Sequence, residues 1–375
     1  MCTSPEALAT LRGACEGKLP AWVRDAPQGS VIGVACSYAP LELLHAAGLT
    51  PVRLRCSDRP SAAADSWLPP FTCSVVRGIL GMALDGALAP LAGALLPHTC
   101  DSMQELAGIW RLLQPGQWLL TPVEPMAVAS PHALAYLREE LLILRDRLAE
   151  RTGRPVDDEA LRASISLYNR VRQARTHVDR LRDRLSARDA WAALSAAWLL
   201  PPEAYVEAVE RLAADLRSTG PQPVKGPRLL LAGSVIDEPL IPGLIDELGG
   251  RVVGDDLCNG MRDAEAMAPE GTDPWSALAA RLLQRAQCPA KHAAADGLAE
   301  RLGSLAARTG AQGAVQVLVK FCDPHAFDAV PATRALVAAG RPQLLLEVEA
   351  GSGPAQIRTR LQAFMELLAG QRAGG

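Results

Sequence analysis

The chain predicts an α/β protein of two Rossmann-like lobes, each a doubly wound parallel sheet, with a helical insert between them. Three observations carry that expectation. Short β-branched and aliphatic runs alternate with amphipathic stretches over residues 1–130 and again over 221–375. Over 131–220 the rhythm changes to apolar residues three and four apart with Arg and Glu between them, which is the pattern of helices. Cysteines close several of the apolar runs, where the chain has to turn.

A chain of 375 residues has room for two domains of ordinary size and a sizeable core. Aromatic residues make up only 4%, so that core is built from Leu, Ala and Val. A net charge of -3 argues against a nucleic-acid footprint. No apolar run reaches the roughly 18 residues of a membrane span. The start, Met1-Cys2-Thr3-Ser4-Pro5-Glu6, lacks the basic flank and apolar stretch of a signal peptide, so a cytoplasmic protein is expected. In that compartment nine cysteines do not make a disulfide framework; they are small buried hydrophobes or ligands.

The first element is a short helix with Leu8, Leu11 and Cys15 at helical spacing. Residues 31–54 read as strand, polar turn, helix stopped at Gly48, and second strand, one βαβ unit. Pro40 falls in the first helical turn and Ser37 is a candidate cap. Cys36 then lies beside a helix N-terminus, which favours a thiolate. Cys73 follows Pro69-Pro70 at another helix start, with Arg77 one turn on; the alternative is a plain buried thiol with Arg77 at the surface. A weak strand within 86–97 leads to Cys100-Asp101-Ser102, which opens a helix, and 118–123 is the last strand of this lobe.

In the insert, 133–151 and 160–185 are helices broken around Pro155, Asp157 and Asp158. Their arginines (Arg170, Arg172, Arg175, Arg180, Arg182, Arg184) fit a solvated face of i,i+4 pairs better than a ligand patch. The second lobe brings a strand at 228–234, a helix at 239–248, and a strand from Arg251 that leaves through Asp255-Asp256-Leu257-Cys258. Residues 275–309 read as helical. A strand at 315–319 then runs into Lys320-Phe321-Cys322-Asp323-Pro324-His325, and a strand at 342–349 and a helix at 356–368 end the chain.

There is no GxGxxG, P-loop or HExxH motif to support a nucleotide or zinc-hydrolase site. What stands out is that Cys36, Cys73, Cys100, Cys258 and Cys322 all fall at strand exits or helix starts, the edge where open α/β sheets bind ligands. Gathered thiolates suit iron–sulfur, zinc or copper(I). Without a CxxC pair, a zinc ribbon or ferredoxin-type site is not indicated.

In order and spacing, Cys36-Ser37-Tyr38-Ala39-Pro40-Leu41-Glu42-Leu43, Cys73-Ser74-Val75-Val76-Arg77, Thr99-Cys100-Asp101, Asp255-Asp256-Leu257-Cys258-Asn259-Gly260-Met261-Arg262, Lys320-Phe321-Cys322-Asp323 and Leu346-Glu347-Val348-Glu349 form a recognisable set. With them the chain resembles the subunits of the 2-hydroxyacyl-CoA dehydratase and benzoyl-CoA reductase family over almost its whole length. The resemblance implies a [4Fe-4S] cluster in the cleft between the lobes, held by three cysteines with one iron open. The matching positions are Cys73, Cys100 and Cys322; Cys36 and Cys258 are further ligands or line the cluster's cleft.

The same resemblance implies a homologous second subunit, as hetero- or homodimer, and an ATP-hydrolysing iron–sulfur activator. The substrate is then an acyl-CoA. One low-potential electron enters its thioester, and either a neighbouring hydroxyl is expelled or an aromatic ring is reduced. A related branch carries a double-cubane iron–sulfur cluster and needs more thiols, with Cys56 or Cys288 joining the five; such a chain is an accessory electron-transfer protein without acyl-CoA turnover of its own. Ser37 and Glu42 are the candidate catalytic residues, with Tyr38, His98 and Glu349 as polar helpers. Ser37 and Glu42 serve equally as a capping arrangement, and Glu349 as a surface carboxylate. His45 reads as a packed residue and His325 as nearer the cleft.

Overall fold

The computed structural model describes residues 6–56, 62–114, 116–217, 220, 226–291, 297–351 and 353–373. Strands β1 (Val31–Val34), β2 (Thr50–Arg53), β3 (Gly93–Leu95) and β4 (Trp118–Leu120) form one sheet, in the order β2-β1-β3-β4. A second sheet, ordered β6-β5-β7-β8, is built from β5 (Arg228–Gly233), β6 (Arg251–Asp256), β7 (Gly313–Val319) and β8 (Gln343–Val348). Every pairing in both is parallel. The strands are short and aliphatic because each sheet is covered on both faces, so both sides of the pleat must be apolar.

Four clusters of buried side chains do the covering. One face of the first sheet packs with Leu8, Leu11, Ile79, Leu106 and Trp110. Its other face meets Leu137, Leu141 and Leu144 of the helix Ala133–Thr152. The second sheet is sandwiched by Ile245, Leu361 and Phe364 on one side and by Leu302, Leu305 and Leu336 on the other.

The insert holds the helices Ala133–Thr152, Asp158–Arg180, Ala187–Ser195 and Pro202–Leu216. Gly153, at φ 67, ends the first in the left-handed conformation. The Asp157 side chain caps the second by accepting from the Ala160 N–H at 2.8 Å.

Three sequence expectations are corrected here. Arg172, Arg175 and Arg182 are buried rather than on a solvated face, since each finds a carboxylate far away in sequence: Glu42, Asp263 and Asp255. Arg170, 58% exposed beside Glu210, does behave as expected. The helix expected over 275–309 stops at Gln284. Its first part, Pro274–Gln284, leaves the second lobe and packs Trp275, Leu278 and Leu282 with Leu137 and Leu141 of the insert, while the helix Gly297–Thr309 returns to the second sheet. Finally, Ser37 caps nothing: Pro40 is the N-cap of the helix Leu41–Ala46, and no side chain bonds there. Cys2 lies outside the described residues.

Candidate functional site

In each sheet the strand order reverses at one place, between β1 and β3 and between β5 and β7. Crossovers leave such a point in opposite directions, which opens a crevice at the carboxyl ends of the two strands. Cys36 follows β1 and Cys100 follows β3; Cys322 follows β7. At the second point β5 and β7 approach so closely that a Cβ on Gly233 would lie 2.1 Å from the Val317 carbonyl oxygen; only glycine, here at φ 120, fits.

Cys73, Cys100 and Cys322 are each the N-cap of a helix: Ser74–Leu84, Asp101–Leu113 and Asp323–Ala338. In each case the backbone N–H three residues on, of Val76, Met103 or His325, draws the thiol's pKa down, without closing a full capping hydrogen bond. Burial outweighs these dipoles. It raises Cys73, and with the neighbouring thiols Cys36 and Cys73 it pushes Cys100 up to about 11. Burial first, then the nearby Cys73, Cys258 and Cys100, push Cys322 up to about 12. Thiols from both lobes thus meet in one electrostatic neighbourhood, and each resists ionising while the others are near.

The turn that presents Cys322 is strained. Phe321 has φ 64, and it is the one non-glycine residue in the left-handed region among the described residues.

Cys258 sits in a self-locking loop. Asp255 accepts from the backbone N–H groups of Leu257 at 3.3 Å and Met261 at 2.8 Å. A Cβ on Gly260 would fall 1.9 Å from the Asp255 Oδ1, so that position has to be glycine. Asn259 donates to the Ile236 carbonyl at 2.8 Å, and Arg262 donates to the carboxylate and carbonyl of Asp256 at 2.8 and 2.7 Å. The same guanidinium reaches the Cys258 Sγ at 3.3 Å, with the His325 Nε2 at 3.6 Å on it as well. Hydrogen bonding from the Cys288 thiol, then the Arg262 charge, hold Cys258 well below the usual thiol range, while the same bond and burial raise Cys288.

The structure therefore adds Cys288 to the five thiols singled out in the sequence and leaves Cys56 apart. Cys56 is buried under the helix Ser74–Leu84, at Gly78, and its N–H donates to Asp237 at 3.2 Å. Tyr38 locks the Cys288 segment: its hydroxyl accepts from the Cys288 N–H at 3.0 Å and donates to Gln287 at 2.7 Å. The Arg285 guanidinium lies 4.3 Å over the Tyr38 ring and donates to the Ser37 hydroxyl at 2.9 Å.

Glu124, just past β4, was not singled out in the sequence. It is buried beside Lys291, whose Nζ is 3.7 Å away, and burial, only partly offset by Lys291, pushes it up to about 7. Its signal was a carboxylate at a strand exit, between Pro122 and Pro125.

Glu42 is fully buried and paired with Arg172; burial raises its carboxyl, but Arg172 and Arg281 outweigh that and hold it low. His45 packs as expected, with its ring nitrogens 3.0 Å from Ser164 and 3.3 Å from Glu203 and its ring edge-on to Tyr168. Glu349 pairs with Arg77 at 3.2 Å and lines a cavity of about 80 Å³ between the lobes, with Ser74, Val75, Asp237, Ile241 and Val319. His98 is half-buried, and that burial, with the Arg111 charge, lowers its pKa. Among the described residues, no helix is long and apolar enough to cross a membrane.

Comparison with known proteins identifies a family. A profile of the family described as 2-hydroxyglutaryl-CoA dehydratase, D-component, matches residues 36–368. The (R)-phenyllactyl-CoA dehydratase beta subunit of Clostridium sporogenes is 24% identical over 90% of this chain and 91% of its own length. The beta subunit of lactoyl-CoA dehydratase from Anaerotignum propionicum is 26% identical with the same coverage. A benzoyl-CoA reductase subunit of Thauera aromatica is 27% identical over 81% of each chain. With the family profile running from Cys36 through the second sheet to the last helix, the chain belongs to the 2-hydroxyglutaryl-CoA dehydratase D-component family.

Proposed function

We propose that the chain is the iron–sulfur subunit of a radical acyl-CoA dehydratase or reductase, with a [4Fe-4S] cluster held by Cys73, Cys100 and Cys322. One observation carries this: three thiols from both lobes start three helices around one cleft, and none is used up in a full capping bond. The donor set fits such a group. Cysteine thiolates are the ligands that hold iron–sulfur clusters, and Cys73, Cys100 and Cys322 influence one another's ionisation. When bound, the cluster supplies a low-potential electron to a CoA thioester, the substrate class that the relatives' names share.

The chain's own residues then bind and orient. Ser37, held by Arg285, offers a fixed hydroxyl next to Cys36. Glu42, with no exposed surface, acts behind it through Arg172 and the arginines around it. The cavity between the lobes, which Ser74 lines next to Cys73, offers room for a short acyl group. A related second subunit and an ATP-hydrolysing iron–sulfur activator, both in the cytoplasm, complete the system.

A second function is favoured by the number of thiols. Cys36, Cys73, Cys100, Cys258, Cys288 and Cys322 make twice three, the donor set for a double-cubane cluster in an accessory electron-transfer protein. Iron and sulfide per chain after anaerobic purification, with the EPR spectrum of the reduced protein, decide between them. About four irons, retained in Cys288→Ser and lost in Cys73→Ser, Cys100→Ser or Cys322→Ser, support the first. About eight irons, lost in Cys288→Ser, support the second. A folded chain without iron overturns both.

A further inference from the structure

Adjoining Ser37, four arginines (Arg172, Arg175, Arg281, Arg285) are buried with only two carboxylates, Glu42 and Asp263, and none of the six side chains is more than 6% exposed. The next charges outward, Lys291 and Glu124, pair with each other at 3.7 Å. Four positive groups against two negative leave an excess of two positive charges in a dry interior, a costly arrangement. The strain shows at Arg281, which burial and the Arg172 charge bring down to about 10.

Three of these arginines, Arg172, Arg175 and Arg281, line a cavity of about 10 Å³ together with Asp263, Ser37 and Trp198. The Nε atoms of Arg175 and Arg281 are buried without a hydrogen-bond partner. The volume suits one water-sized occupant and excludes phosphate, sulfate or a carboxylate. Water could accept from the free N–H groups but would leave the excess charge unbalanced.

We infer that this cavity binds one small monovalent anion of the chloride kind. Its place gives it a consequence. Ser37 itself lines the cavity, and Arg175 donates to the carbonyls of Asn259 and Gly260, so the anion fixes the two turns that carry Cys36 and Cys258. Neither the cavity nor its charge depends on iron being bound.

The test uses the full chain, equilibrated at low ionic strength and titrated with sodium chloride, sodium bromide or sodium gluconate, gluconate being too large to enter. The expected result is a melting temperature that rises and saturates at millimolar chloride or bromide but not gluconate, because a ligand of the folded state alone stabilises it by mass action. That response is lost in Arg281→Met. Crystals grown in bromide show an anomalous peak between Arg172, Arg175 and Arg281, a measurement that does not depend on any variant folding. Equal melting in chloride and gluconate, an unchanged chloride response in a folded Arg281→Met, or bromide crystals with only water in the cavity each overturn the inference.

Discussion

Phe321 shows how a single residue aims a thiol. A left-handed φ costs a bulky residue roughly 1–2 kcal/mol, and the fold accepts that cost where β7 hands over to the helix starting at Asp323. Phe321→Gly keeps the turn without the strain and is expected to retain iron binding. Phe321→Pro locks φ near -65° and swings Cys322 away; iron per chain should fall while the helical circular dichroism signal stays. Glu124 sets a pH dependence of the opposite sign to that of an ordinary paired acid. Its folded pKa of about 7 lies above the unfolded value of 4.5, so the folded chain holds the extra proton between these limits and stability falls as pH rises through the window. Denaturant midpoints at about pH 5 and about pH 8 should show that slope, and Glu124→Gln should flatten it. An unchanged slope in the variant would move the titration to another group.

At the scale of an element, the helix Ser74–Leu84 depends on one close approach. A Cβ on Gly78 would lie 1.9 Å from the Cys56 Sγ and 2.6 Å from its Cβ, so Gly78→Ala forces helix or strand exit to move. Overpacking of this kind costs roughly 1–3 kcal/mol. Because Cys73 is the N-cap of the same helix, iron binding should weaken together with the melting temperature. Cys56→Ala added to Gly78→Ala should recover part of both, since it removes the nearer atom. The elements themselves were legible in the sequence for a plain reason. Parallel strands buried on both faces must be uninterrupted aliphatic runs, and thiols after several of them, β1, β3, β6 and β7 among them, mark the carboxyl edge where open sheets bind ligands. Cys288 was only an alternative because it follows a helix and a stretch without regular structure; its place is set by Tyr38, 250 residues earlier.

For the whole molecule, the insert ties both lobes together, and this was the part the sequence did not reveal. Arg and Glu three and four apart satisfy a solvated helix as well as a buried one; what separates the two is a carboxylate 130 residues away for Arg172, 88 for Arg175 and 73 for Arg182. These contacts bind the helix Asp158–Arg180 and the residues after it to Glu42 in the first lobe, to Asp255 at the end of β6 and to Asp263 beyond it. With the helix Pro274–Gln284 also crossing back to the insert, the core on one face of the first sheet is completed by the insert and by a helix that belongs in sequence to the second lobe. A calorimetric scan of the full chain should accordingly show one transition rather than the two of independent domains. Arg182→Met leaves Asp255 buried with backbone N–H groups but no cation, at a cost of about 3–5 kcal/mol, and it weakens the ties to the second lobe while leaving Arg172–Glu42 to the first intact. The variant should therefore split the transition, with the second lobe melting first. Two transitions in the unaltered chain would mean that the arginines join lobes that were already stable apart.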